Sequence, residues 1–256
     1  MVVSLDVMRA ELSAVMSNSR PGIDAADELC ATCVGLVGVD GAALSMVYQG
    51  ASTGTFGSSS QASRRLDEYQ FTFGEGPCLD AVATREAVLV PDLASPHEQR
   101  WPLLKGALLD DGVQGVFAVP ITIMSVCVGA LDLFRSEPGP LEGDALAGAM
   151  LAAELATAPL LDFIAGAVGV NADDEALIRS MEKGPDHLAE LDRVEVYQAT
   201  GMLISALDVD STEALVRLRA HAIATGQSAI EVAKAIVERR LVLDRDSKGV
   251  AGGNLE

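Results

Sequence analysis

Residues 191–241, LDRVEVYQATGMLISALDVDSTEALVRLRAHAIATGQSAIEVAKAIVERRL, constrain this chain more than any other stretch. Apolar residues recur there at helical spacing in three short runs divided by turn chemistry. Val196, Ala199, Leu203 and Leu207 line one face of a first helix expected over 186–207. Asp210 or Ser211 caps a second, and Glu213 stands in its first turn, where the helix dipole favours a carboxylate. That helix offers Ala214, Leu215, Leu218 and Ala222 to a core and stops at Gly226, a residue suited to left-handed termination. Ser228 and Glu231 form a capping box for a third helix. Val232 or Ala233, Ile236, Val237 and Leu241 supply its apolar side. Helices this short bury their faces only against one another, so the segment reads as a compact all-α module attached to something larger.

The surface of this module sets a charge problem. The 256-residue chain carries a net charge of −19, which opposes phosphate backbones and anionic membranes at long range. Residues 1–185 hold −15 of it and residues 186–256 hold −4. Arg217, Arg219, Lys234, Arg239 and Arg240 are left for the module's surface. They read either as solvated helix faces with ion pairs or as a small phosphate-binding face aided by the helix N-termini at Ser211 and Ser228. Gly201 lies inside the first helix, at a cost of about 1 kcal/mol relative to Ala. Close approach of another backbone or of a ligand offsets such a cost, packing being the preferred explanation.

Residues 1–169 alternate helices and strands. Helices are expected over 5–16, capped by Ser4, and over 24–37, with Leu29, Cys30, Cys33, Val34 and Val37 on one face. A strand follows over 42–48. The Gly/Ser/Thr-rich stretch 50–63 is expected to hold a second strand and a mobile loop, and 64–69 a polar helical piece. Residues 73–78 form a tight turn into a short helix ending near Thr84. A strand at 88–90, a helix over 98–110, strands over 115–121 and 126–134, and a long Ala/Leu helix over 142–169, with Pro159 a candidate break, complete the segment. The run 126–134 is apolar except for Asp132, so it suits a central strand covered on both faces. Strict alternation puts Val126, Val128 and Ala130 on one side and Cys127, Gly129, Leu131 and Leu133 on the other. Asp132 could face a pocket, but an exposed or hydrogen-bonded strand end is the preferred reading. Together these elements describe an α/β unit around one mixed or antiparallel sheet. Residues 170–187 read as a linker or short helix, 188–245 as the helical module and 246–256 as a flexible tail.

Two resemblances follow from particular residues. Gln198-Ala199-Thr200-Gly201-Met202-Leu203, Glu213-Ala214-Leu215, Leu218-Arg219, Ala222, Val232-Ala233 and Ile236-Val237 together resemble an ANTAR domain, the RNA-binding output module of bacterial transcription antiterminators, here of an actinobacterial-like type. Thr200 departs from the lysine that many members carry before the glycine. Gly74-Glu75-Gly76-Pro77-Cys78-Leu79, the strand ending at Pro91, and Gly129-Ala130-Leu131-Asp132-Leu133 resemble a GAF domain, a signal-sensing α/β fold. The resemblance implies a GAF-like sensor with a central, mostly antiparallel sheet and flanking helices, followed by a three-helix ANTAR domain. It also implies stem-loop RNA as target and a homodimer that grips paired loops.

The RNA-binding residues expected on this basis are Gln198, Thr200, Gly201, Arg217, Arg219, Lys234 and Arg239, with Arg219 foremost. Phe56, Tyr69, Phe71, Phe73, Trp101 and Phe117 are candidates to line a sensor pocket, or else belong to the core, which is favoured. Cys78, at a turn beside a helix start, is the candidate redox residue, although buried structural thiols are the better account of the four cysteines. No metal site and no particular cofactor is indicated. The signal is a small molecule or a redox change of unknown identity. No G-x-S-x-G, P-loop or dinucleotide fingerprint appears, so the expectation is a regulator and not an enzyme. The N-terminus reads as an amphipathic helix and not a signal peptide, and no charge-free run of eighteen apolar residues appears, so a cytoplasmic protein without a membrane span is expected. The rival readings are a DNA-binding transcription factor and a signalling protein whose helical tail binds a protein partner.

Overall fold

The computed structural model describes residues 3–48, 51–168 and 194–243. The chain divides into two compact units, 1–192 and 193–256. The linker expected over 170–187 and the tail expected over 246–256 lie outside the described residues, as does the expected helical start at 186–193.

In the first unit the order is α1 (Leu5–Asn18), α2 (Ile23–Val37), β1 (Gly41–Tyr48), β2 (Ala51–Ser58), α3 (Gln61–Phe73), α4 (Pro77–Thr84), β3 (Val88–Val90), α5 (Pro102–Asp110), β4 (Gly115–Ile123), β5 (Val126–Arg135), α6 (Gly143–Leu155) and α7 (Thr157–Val168). The strands form one antiparallel sheet in the order β2-β1-β5-β4-β3. The near-continuous apolar run of β5 has the consequence expected of it: the strand is central and buried on both faces. One face packs against α1, α2 and α6 through Leu12, Leu29, Leu44, Phe117, Leu131 and Ala152. The other is covered by α3 and α4 and, at its edge, α5, around Ala43, Val47, Cys78, Trp101, Leu104 and Ala130.

Four local expectations are corrected. Of the second strand and mobile loop expected over 50–63, the strand is present as β2, but helix follows it almost at once, with Ser60 capping α3, its Oγ accepting from Ser63 N at 3.1 Å. The small residues serve close packing. A Cβ on Gly57 would lie 2.6 Å from Ala26 Cβ, so glycine lets α2 lie directly on β2. Strand β5 does not alternate strictly. Ile121 faces Gly129 and Thr122 faces Cys127, which leaves Val128 as an extra residue. Val128 therefore joins Leu131 and Leu133 in the core beneath α1, α2 and α6, not Ala130. Helix α3 runs on through Phe73, which was placed in a turn. Helix α5 begins at Pro102 and not at 98, because proline disfavours helical geometry in the residue before it, and Trp101 accordingly has ψ 78°.

The stretch Gly143–Phe163, with a mean hydropathy of 1.4, is long and apolar enough to cross a membrane. In this fold α6 turns Gly148, Ala149, Leu151, Ala152 and Ala153 into the core against α1, α2 and the sheet.

The second unit holds α8 (Val194–Leu207), α9 (Ser211–Thr225) and α10 (Ala229–Val237) among the described residues. Val196, Ala199, Leu203 and Leu207 are buried from α8, Ala214, Leu218 and Ala222 from α9, and Val232, Ala233 and Ile236 from α10. Asp210 Oδ1 accepts from Glu213 N at 2.8 Å, and the Ser228/Glu231 capping box is complete. Gly226 ends α9 in the left-handed conformation at φ 66°. Helix α10 stops at Val237, and Arg239 turns left-handed at φ 57°, so Leu241 leaves the helical face assigned to it.

Candidate functional site

The outward side of α8 is uncharged. Val194, Tyr197, Gln198, Gly201, Met202, Ile204, Ser205 and Ala206 are exposed, and the helix's single charge is the half-buried Glu195. Gly201 stands in the open, with no atom within 4 Å of the position a Cβ would take. Packing within the described unit therefore does not account for this glycine, which corrects the preferred explanation for it. Thr200 is half-buried, and its Oγ1 donates to Val196 O at 2.7 Å, so the hydroxyl is turned back onto its own helix. Gln198 and Thr200, two residues apart, project about 160° from one another on a helix and do not share a face. Tyr197, 40% exposed one turn before Gly201, was missed, although an aromatic four residues from a mid-helix glycine is visible in the sequence.

The same geometry separates Arg217 from Arg219 on α9. Arg217 is held by Glu213, one turn earlier, with its Nε 3.1 Å from Glu213 Oε1. Arg219 lies half-buried on the opposite flank. Lys234 is exposed on α10 between Glu231 and Glu238, three residues before and four after it. Arg239 is exposed in the turn beyond α10, and Arg240 donates through Nε to Glu238 Oε2 at 2.7 Å. The seven residues expected to contact RNA thus do not form one patch. Gln198 and Gly201 share the open side of α8, whereas the basic residues are divided over α9, α10 and the turn after it.

In the first unit the sheet divides the six pocket aromatics. Phe56 and Phe117 are buried beneath α1, α2 and α6, where Phe56 meets Phe163 edge-on with ring centroids 5.4 Å apart. Tyr69, Phe73 and Trp101 pack on the other face, and Phe71 is buried in α3. Tyr69 stacks on Phe73 at 5.8 Å, and Trp101 Nε1 donates to Asp80 Oδ2 at 3.1 Å. No single pocket contains all six.

A polar cluster lies instead where the sequence pointed to apolar core. Ser45, Thr55, Asp67, Gln70 and Asp132 are all buried under α3 and α4. Asp132 is not an exposed strand end, because its register opposite Ala43 puts it in mid-sheet. Ser45 Oγ bridges Asp67 Oδ1 and Asp132 Oδ2, and Thr55 Oγ1 donates to Asp67 Oδ2. Gln70 Nε2 donates to Asp67 Oδ1 at 3.3 Å, while Gln70 Oε1 accepts from Cys78 N at 2.9 Å and so ties α4 to α3. Burial, and next the charge of Asp67, push the Asp132 carboxyl well above the usual range.

Cys78 is fully buried, and desolvation followed by the nearby Asp132 and Asp67 raises its pKa well above that of a free thiol. Redox-sensor thiols are accessible and have thiolate character. Cys78 has neither, which corrects its selection as the redox residue. Burial likewise raises Cys30 and pushes Cys33 up to about 12.

Comparison with known proteins matches the chain to two families. The model of the GAF domain matches residues 22–158 and that of the ANTAR domain residues 189–237. The first match spans more than half of the chain, and the chain belongs to the GAF domain family, here in a two-domain GAF–ANTAR architecture. A GAF domain is a sensor and an ANTAR domain an RNA-binding antitermination module, so the chain is a regulator. No curated protein matches it. Among solved structures, it is similar to the GAF domain of an Acinetobacter phosphoenolpyruvate-protein phosphotransferase, at 16% identity and a TM-score of 0.49 over 63% of this chain and 96% of that one. The corresponding GAF domain from Coxiella burnetii gives 15% and 0.48 over 60% and 92%. Reduced fRMsr of Staphylococcus aureus gives 12% and 0.48 over 62% and 96%.

Proposed function

We propose that this regulator is a signal-responsive transcription antiterminator that binds stem-loop RNA in nascent transcripts through α8, α9 and α10. It works in the cytoplasm, apart from membranes and without catalytic activity of its own. The observation that carries the reading is the open, uncharged side of α8 around Gly201, within the segment that matches the ANTAR model. In a chain of net charge −19, a surface without acidic side chains is where a polyanion meets least repulsion. Unstacked loop bases are read by stacking on aromatic rings and by hydrogen bonds to their edges. Tyr197 and Gln198 offer both beside a glycine that admits close approach. Arg219 and Lys234 hold phosphates, and Arg217, engaged by Glu213, contributes less. Thr200 has its hydroxyl proton engaged by Val196 O and is left to accept.

A second copy completes the assembly, so that two modules grip paired loops. Exposed Val216 and Ile223, on one side of α9, favour such contact. A monomer mass by light scattering at RNA-binding concentrations would count against it.

The test is binding of the full chain to a set of paired-hairpin RNAs at low and high salt, with duplex DNA as competitor. Arg219→Ala should weaken binding by roughly 1–3 kcal/mol, the scale of a charge-assisted hydrogen bond. Unchanged affinity in a folded variant removes that residue from the interface. Absence of binding to any hairpin, or displacement by duplex DNA, overturns the RNA reading.

A further inference from the structure

The first unit buries two carboxyl groups that RNA binding does not use, and their hydrogen bonds fix a proton count. Ser45 on β1 has one hydroxyl proton, yet its Oγ lies in hydrogen-bonding range of both Asp67 on α3 and Asp132 on β5. Asp67 also accepts from Thr55 on β2 and from Gln70, so donors converge on it as they do on a carboxylate. Asp132 Oδ1 has no hydrogen bond of ordinary geometry. The contacts are satisfied when the pair holds one proton, and the larger set of donors on Asp67 places that proton on Asp132. Ser45 gives its proton to Asp67, and Asp132 carries a proton of its own and gives it to Ser45. With both acids ionised, two negative charges would face each other across one hydroxyl in a site shielded from water.

We propose that Asp132, Ser45 and Asp67 form a proton-binding site that latches α3 and α4 to the sheet, with the proton itself as a signal that this unit reads. The proposal rests on the reading of that unit as a sensor. When the pH rises, the Asp132 proton leaves to solvent and a second carboxylate remains beside Asp67. Repulsion then acts between β5 and α3. Gln70, one turn from Asp67 on α3, holds the Cys78 N–H at the start of α4, so displacement of α3 carries α4 with it.

Ser45, Gln70 and Cys78 offer an ionised Asp132 hydrogen bonds, but the cations of the neighbouring elements are engaged elsewhere. On α3, Arg64 is engaged by Asp27 of α2 and by Thr55 O. On α4, Cys78 is a thiol with a raised pKa. Cys30 of α2, across the sheet, is raised in the same way, and Cys127 is the further thiol of β5 near the cluster. Asp80 of α4 faces Trp101 and Arg100. On α5, Lys105 is turned to Ser95 O and Glu98 O.

The chain contains one tryptophan, and it is placed to report the latch. Trp101 is buried, and its indole donates to Asp80 on α4. The experiment is a pH titration of the full chain, read by tryptophan emission and by the infrared carbonyl band of a protonated carboxyl. At about pH 6, where ordinary carboxyls are ionised, the wild type should retain such a band. As pH rises, the band should vanish and emission should shift to the red in the same one-proton transition. Asp132→Asn keeps a donor towards Ser45 and cannot ionise, so it should lose both the band and the transition. A wild type without the band at about pH 6, or an Asp132→Asn protein that keeps the transition, overturns the proposal. Should that variant not fold, the wild-type band decides alone. RNA takes no part in the measurement, so failure of the RNA reading leaves its outcome untouched.

Discussion

Gly201→Ala separates two properties that most substitutions change together. The residue lies in the middle of α8, outside the left-handed region, with no neighbour within 4 Å of the added methyl. The new side chain therefore meets no strain and gains no burial, and helix propensity alone sets the effect. Alanine should stabilise the helix by about 0.8–1.0 kcal/mol. That corresponds to roughly a fivefold change in an opening equilibrium. Amide hydrogen exchange of the full chain, followed at the residues of α8, should slow by about that factor. RNA binding should move the opposite way, because a methyl displaces a backbone or base seated on the glycine, at a cost of roughly 1–3 kcal/mol, typical of overpacking. A more stable but weaker-binding protein is the expected result. If exchange does not slow, α8 has a neighbour at this point and the open-surface argument fails. If exchange slows and RNA affinity is unchanged, Gly201 is not a point of approach.

Ser228→Ala removes the side chain that accepts from Glu231 N and should cost about 1 kcal/mol in denaturant unfolding of the second unit, with a loss of a few tenths or less arguing against a formed capping box. The salt dependence of RNA binding should be shallow. With Arg219 and Lys234 as the phosphate ligands, and about 0.7 per single-strand phosphate neutralised, the slope of log affinity against log salt should be roughly −1.4, and a slope several times steeper would place many more cations in the interface. Asp132 should also shape stability against pH. Its folded-state pKa is raised, so its contribution is complete below the unfolded value and is lost as pH climbs through the folded one. Denaturant midpoints should thus fall on alkalinisation in the wild type but not, from this cause, in Asp132→Asn. Asp40, lowered chiefly by the Ser136 N–H, has the opposite sign and weakens the fold on acidification.

What the sequence made legible was local. Helix spacing and caps in 194–237 are short-range chemistry, and Asp210, Gly226, Ser228 and Glu231 do in the structure what their positions imply. The apolar run of β5 disclosed its central place because two-sided burial leaves that mark. Its bulge at Val128 left none, since both neighbouring registers place apolar residues in core. The separation of Gln198 from Thr200, and of Arg217 from Arg219, could have been read directly from the 100° turn per residue.

The carboxyl pair was illegible for a different reason. Asp67 and Asp132 lie far apart in sequence, and each alone fits a bland explanation, a polar helix residue and a strand end. They meet because β1 pairs with β5, which sets Ser45 beside the column that carries Asp132, and because α3 returns over that face after β2. Strand order is a property of the whole sheet, and no local pattern encodes it. The aromatic residues are core, as favoured, but their type announces burial without stating the face. A site assembled across a sheet is therefore found by asking which buried polar atoms lack a sufficient set of donors, and in this unit that question leads to Asp132.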